Sequence, residues 1–231
     1  MAIKPPVYEQ DDSKEFERPT TGNKAGRCIQ VVDMGTVKNT FPGAAMPTKR
    51  DIRIFFELSQ KMKDGRPFVV NWNGTMSFGD GAHMTRVLKA WRGGVAFTQE
   101  EKDNFDFGRL LNATGLILVS ESPDKKNPNK IWTNVDTVTP LPEEMAMPEL
   151  INPIVEFGID DIGTDKWNML YPWIQNLIIR DSAEGQAYLA AHPGFEYGKK
   201  TSTNENSETP EAAEPAPAKL EADGVTPLCP F

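Results

Sequence analysis

Basic and aromatic side chains are interleaved along several segments of this 231-residue chain. Lysine and arginine neutralise phosphates, and an aromatic ring that stacks on an unpaired base contributes about 1–3 kcal/mol. The sequence therefore predicts a surface that binds single-stranded nucleic acid. Its predicted members are Lys38, Lys49, Arg50, Arg53, Phe55, Trp72, Arg92, Lys130 and Trp132. For the two tryptophans, a place in the hydrophobic core is the alternative interpretation.

The last residues, VTPLCPF, form an apolar tip on an acidic segment. Such a tip can dock into a partner, with the ring in a hydrophobic slot and the α-carboxylate against a basic rim. Leu228, Pro230 and Phe231 are therefore predicted to bind a partner protein. A chance apolar ending is the alternative.

The residue types and their spacing give little support for a metal site or for a catalytic site. The two histidines, His83 and His192, have no cysteine or histidine partner at zinc-ligand spacing. Four carboxylates lack the spacing of a calcium loop; they are Glu156, Asp160, Asp161 and Asp165. The expectation is a protein with no metal and no cofactor that is not an enzyme. A nuclease that uses these carboxylates is the least favoured alternative.

The net charge of −8 hides an uneven distribution. Residues 24–142 carry 17 basic and 12 acidic side chains, whereas residues 143–198 carry 2 and 10. Phosphate affinity depends on local charge, so the basic body is compatible with nucleic acid. No apolar run is long enough to span a membrane, and no signal peptide is recognisable. Cys28 and Cys229 lie far apart, which favours a reduced, cytoplasmic protein.

Period-two and helical patterns predict the elements that position these residues. Strands are predicted at 26–38, 49–59, 67–78, 113–121 and 131–139, and helices at 83–91, about 98–111 and 172–180. Three strands, a helical segment and two strands are typical of an OB-fold, a five-stranded Greek-key barrel. The predicted fold is mainly β: this barrel with helices between strands 3 and 4, a C-terminal helix and a disordered acidic tail.

The predicted organisation has four parts. Residues 1–23 are a flexible N-terminal arm, and residues 24–142 are the DNA-binding barrel. Residues 143–198 are an acidic wrap with the C-terminal helix. Residues 199–231, rich in Ser, Glu, Pro and Ala, are a disordered tail that ends in the apolar tip.

Five segments together resemble a family of bacteriophage single-stranded DNA-binding proteins that are encoded among replication genes. They are VVDMGTVKNTFPG (31–43), RIFFEL (53–58), KAWRGGVAFTQEEKDNFDFGRLLNATGLILV (89–119), NVDTVTPLP (134–142) and MLYPWIQNLIIRDS (169–182). The resemblance covers about two-thirds of the chain. It implies an OB barrel that coats single-stranded DNA during phage replication or recombination in the cytoplasm of a bacterial host.

The tail separately resembles the acidic, Phe-terminated tails of bacterial and phage single-stranded DNA-binding proteins, which recruit replication proteins. It departs from them because no aspartate cluster precedes the final Pro-Phe, and the nearest acids are Glu221 and Asp223. The predicted partners of the tail are phage or host replication proteins, and this departure counts against the host's own tail-binding proteins. The alternative function is a protein-interaction or recombination accessory factor with secondary DNA binding.

Overall fold

The fold consists mainly of β-strands. A computed structural model describes residues 17–79, 81–124, 127–128, 130–147 and 150–198. The strands are β1 (Gly22–Lys38), β2 (Thr48–Lys61), β3 (Pro67–Thr75), β4 (Thr114–Pro123), β5 (Ile131–Thr139) and β6 (Val155–Phe157). The α-helices are α1 (His83–Trp91), α2 (Gln99–Asp103), α3 (Asp165–Asn168), α4 (Pro172–Asp181) and α5 (Ala183–Ala191). Two short 3-10 helices span Phe107–Leu110 and Ile159–Asp161. The prediction of a mainly β protein with helices between the third and fourth strands is confirmed.

The sheet follows the order β3-β2-β1-β4-β5 with antiparallel neighbours, and β6 pairs with β1 in parallel. The long strand β1 pairs with β4 through its first residues and with β2 through most of its length. Its register shifts between Asp33 and Gly35, where Gly35 has a φ of +76°. Glycine adopts this conformation without the penalty that a side chain would cause. The pairing of β1 with β2 continues on both sides of this irregularity, to Gly26 in one direction and to Lys38 in the other.

Strand β2 alternates as predicted and is buried on both faces. Ile54 and Phe56 lie in a first hydrophobic core with Trp91 of α1. The alternate residue Phe55 lies in a second core on the other face. Full burial of one such side chain contributes about 1.5–3 kcal/mol to the stability of the fold, so covering either face of the strand is stabilising.

The second core joins the sheet to the C-terminal residues. Phe157 of β6, Trp167 of α3 and Ile178 of α4 pack with residues of β1 and β2. The buried carboxylate of Glu57 accepts hydrogen bonds from the backbone N–H groups of Ile151 (3.1 Å) and Asn152 (2.8 Å), and from the Asn152 side chain (2.6 Å). Apolar packing and these three bonds together hold the described part of the 143–198 segment against the sheet.

The elements of the structure differ from the predicted ones in number and in extent. The count of five strands is wrong by one, because β6 has only three residues and no long pattern. The helix expected at about 98–111 is two pieces, since Asp106 accepts from the Gly108 N–H and starts a new turn. Helix α5 was not predicted. Helix α2 begins with a capping box of Thr98 and Glu101, and the predicted start of the C-terminal helix at Pro172 is confirmed.

Candidate nucleic-acid interface

A cleft of about 880 Å³ lies beside β2 and β3. Lys38 at the end of β1 and Thr40 in the β1–β2 loop form one part of its wall. His83 at the start of α1 and Arg180 in the last turn of α4 form others. Six elements, β1, β2, β3, α1, α4 and α5, therefore contribute to one concave surface, whose size is within the usual range of ligand sites, about 300–1,000 Å³.

The cleft is basic although the whole chain is acidic. Four of its lining residues are cations and two are carboxylates, within a chain of net charge −8. These residues are Lys38, Lys49, Arg53, Arg180, Asp51 and Asp181. A concave surface with an excess of positive charge raises the local concentration of anions. The arrangement therefore favours an anion.

Two of the four cations are paired within the cleft. The Lys49 ammonium lies 3.3 Å from an Asp51 carboxylate oxygen, and Arg180 donates to Asp181 at 2.7 Å. The Arg180 pair is exposed and the Lys49 pair is partly exposed, and ion pairs near the surface contribute only about 0–1 kcal/mol. An incoming phosphate can therefore replace either carboxylate at little cost in stability.

Arg53 is the most buried cation of the cleft. Its guanidinium donates to the side-chain oxygen of Asn71 at 3.1 Å and lies 4.9 Å from the ring centre of Trp173, and the residue is 8 % exposed. Antiparallel pairing places Asn73 directly opposite Arg53 on β3, and Asn73 also lines the cleft. A fixed guanidinium beside an amide presents preorganised hydrogen-bond donors to a ligand.

The start of α1 adds a second feature that favours anions. Ala82 and His83 line the cleft, no side chain caps the helix start, and its first turn contains no acidic residue. Backbone N–H groups at a helix N-terminus attract negative charge.

The half-buried His83 ring lies 5.4 Å from the ring of Trp72. Burial and the nearby Arg86 lower the pKa of His83, so its imidazole is neutral at pH 7.

The structure brings three of the predicted cations together and separates the other three. Lys38, Lys49 and Arg53 all line the cleft. Arg50 instead forms an ion pair with Asp33, and this hydrogen-bonded carboxylate raises the pKa of Arg50. Arg92 pairs with Glu101 at 2.9 Å beside a smaller pocket, and the Lys130 ammonium lies 3.8 Å above the Trp132 ring.

The three predicted stacking rings lie in the interior. Phe55 is 0 % exposed, Trp72 2 % and Trp132 4 %. Phe55 packs between Tyr171 and Trp173 of the second core, and the Trp132 indole donates to Asp124 at 2.8 Å beneath Lys130. No face of these rings is open to a base in this arrangement. Their burial favours the core interpretation.

The sequence analysis did not identify two residues that lie in or beside the cleft, Arg180 and Phe41. Arg180 reaches the cleft only because the second core places α4 against the sheet, and no local pattern signals this. The β1–β2 loop carries Phe41, whose ring is 72 % exposed. An aromatic residue in the Pro/Gly-rich segment NTFPGAAMPT was the available signal.

The predicted partner-binding residues Leu228, Pro230 and Phe231 lie outside the described residues. Across the described ranges, no group of three or more His, Cys, Asp or Glu side chains is arranged to hold a metal ion. Within the same ranges, no helix has the length and apolar character needed to cross a membrane. No family model matches the chain, and no curated protein matches it by sequence.

Proposed function

We propose that this protein binds single-stranded DNA through the cleft beside β2 and β3 and coats it without catalysing a reaction. The observation that carries the proposal is the concentration of four cations, against two carboxylates, in one cleft of an acidic chain. Phosphates of a bound strand would meet Lys38, Lys49, Arg53 and Arg180. The uncapped start of α1 would supply further N–H donors.

We further propose that the sheet is an OB-type barrel. Its strand order β3-β2-β1-β4-β5 leaves β3 and β5 as end strands, and these two strands contact each other and α1. OB-folds bind oligonucleotides on the face of their second and third strands and with the adjoining loops. The cleft occupies β2 and β3 beside the β1–β2 loop, which agrees with this mode of binding.

The biological role that we propose follows from the sequence resemblance to phage single-stranded DNA-binding proteins. The body would coat DNA during phage replication or recombination, and the tip formed by Leu228, Pro230 and Phe231 would recruit replication proteins. The cleft supports the DNA-binding half of this role. The recruiting half depends on the sequence of the tail alone.

The proposal is tested by fluorescence anisotropy with a labelled oligo-dT strand and a labelled duplex of equal length, at low salt. We expect tight binding of the strand and weak binding of the duplex. The variant Lys38→Ala/Lys49→Ala removes two cleft cations. Its matched control, Lys61→Ala/Lys63→Ala, removes two exposed lysines that do not line the cleft.

Only the cleft variant is expected to lose affinity for oligo-dT. Equal affinity for strand and duplex would contradict the proposal, and so would an equal loss in both variants. The protein-interaction alternative, in which DNA binding is secondary, predicts that the wild-type protein binds oligo-dT only weakly at low salt and without preference over the duplex.

A further inference from the structure

The loop between β1 and β2, residues 39–47, presents two exposed apolar side chains at the rim of the cleft. Phe41 is 72 % exposed and Met46 is 67 % exposed, the highest values for large hydrophobic side chains in the described part of the chain. The neighbouring Lys38 and Thr40 line the cleft itself. Apolar surface is therefore displayed next to a basic groove.

Hydrogen bonds fix the shape of this loop. The Ala44 N–H donates to the Phe41 carbonyl at 3.1 Å, and Gly43 has a φ of +78°. Proline at the second position and glycine with positive φ at the third are the signature of a type II turn. The turn holds Phe41 at its first position.

Asn39 ties both exposed residues to the base of the loop. Its backbone N–H donates to the Pro47 carbonyl at 2.8 Å, and its side-chain amide donates to the Met46 carbonyl at 3.1 Å. Its side-chain oxygen accepts from the Phe41 N–H at 3.2 Å. The backbone of both residues is therefore ordered before any ligand binds, which reduces the entropy cost of using them in a contact.

We propose that this loop is a base-stacking platform in which the Phe41 ring lies against a base of the strand whose phosphates occupy the cleft. This inference rests on the proposed function. It names Phe41 as the residue that stacks on a base, a contact that the buried rings of Phe55, Trp72 and Trp132 do not supply. Among the Phe, Tyr and Trp side chains that the structure describes, Phe41 alone is exposed; the others are buried or half-buried. Met46 adds apolar surface beside it.

The position of the ring agrees with the path expected for a strand. Lys38 pairs with Thr48 and Val37 with Lys49 where the loop begins and ends, so two cleft cations flank its base. A strand held at these cations passes the loop. Stacking on one base is worth about 5- to 150-fold in affinity.

The test compares two single strands that differ only in their bases. One is oligo-dT, and the other is an abasic deoxyribose-phosphate strand of the same length and charge. Phe41→Ala should weaken binding of oligo-dT by about 5- to 150-fold and leave binding of the abasic strand unchanged. Phe41→Leu keeps apolar bulk without a ring and should behave like Phe41→Ala. Val95→Ala is the matched control, because Val95 is exposed and apolar but does not line the cleft.

A fluorescent variant reports the contact directly. Four of the five native tryptophans are buried, so Phe41→Trp adds an indole that solvent and a base can reach. Its emission should be quenched by oligo-dT and change little with the abasic strand. Thermal unfolding of each variant should match that of the wild type, since the Phe41 ring is exposed.

The possible results distinguish a failure of the stacking platform from a failure of DNA binding itself. If Phe41→Ala leaves oligo-dT binding unchanged, or weakens both strands equally, the platform is refuted while DNA binding stands. If the wild-type protein does not bind oligo-dT, the proposed function fails, and the platform fails with it. If the substitution alters only the oligomeric state, the loop is a contact between copies and the inference is wrong.

Discussion

Substitution of Lys49 by alanine should change how DNA binding depends on salt. Each phosphate contact made by a single strand contributes about 0.7 to the slope of log affinity against log salt. Four cleft cations that each meet one phosphate predict a slope of about −2.8. The Lys49→Ala variant should then have a slope of about −2.1.

These slopes correspond to measurable losses of affinity. Between about 50 and 200 mM salt, the wild-type protein should lose about 50-fold in affinity and the variant about 18-fold. At about 50 mM salt, counterion release at one phosphate accounts for about 8-fold in affinity, which the variant forfeits. Asp51 adds to this loss, because removal of its partner at 3.3 Å leaves an uncompensated carboxylate in the cleft.

The assay is fluorescence anisotropy with labelled oligo-dT at four salt concentrations. Arg50→Ala is the matched control, because it removes the same charge from the adjacent residue, whose guanidinium pairs with Asp33 outside the cleft. Its slope should equal that of the wild type. The reasoning is refuted if Lys49→Ala leaves the slope unchanged, or if Arg50→Ala lowers it equally.

Three further substitutions test the packing and the protonation that surround the cleft. Trp72→Ala should cost about 3–5 kcal/mol in the free energy of unfolding measured with urea, as expected for a core ring; a loss of DNA affinity with unchanged stability would contradict its burial. Glu57→Gln should cost about 1–3 kcal/mol, because its amide would face the N–H donors of Asn152; the exposed Glu121→Gln should change little. His83 has a lowered pKa, so the fold favours its neutral form, and the free energy of unfolding should fall as the pH drops below 6.5, the usual histidine value. Protonation in this range also adds a cleft charge, so oligo-dT affinity should rise; a His83→Gln variant with the same pH profiles would contradict both expectations.

Local sequence patterns determined most of the secondary structure. The alternation of β2, the Thr98–Glu101 capping box and the Pro172 helix start each involve residues a few positions apart, and all are present. The excess of cations in 24–142 is likewise a property of composition. Such features need no knowledge of distant contacts, so the sequence alone predicts them.

Only the tertiary structure decided which side chains the cleft contains. Alternation along β2 separates the side chains of Lys49 and Arg50, but it does not say which of them lines a cleft. That depends on α4, whose start packs against Phe55 of β2 and which brings Arg180 to the same cleft as Arg53. These contacts join residues more than a hundred positions apart, and hydrophobic burial, which has no direction along the chain, determines them.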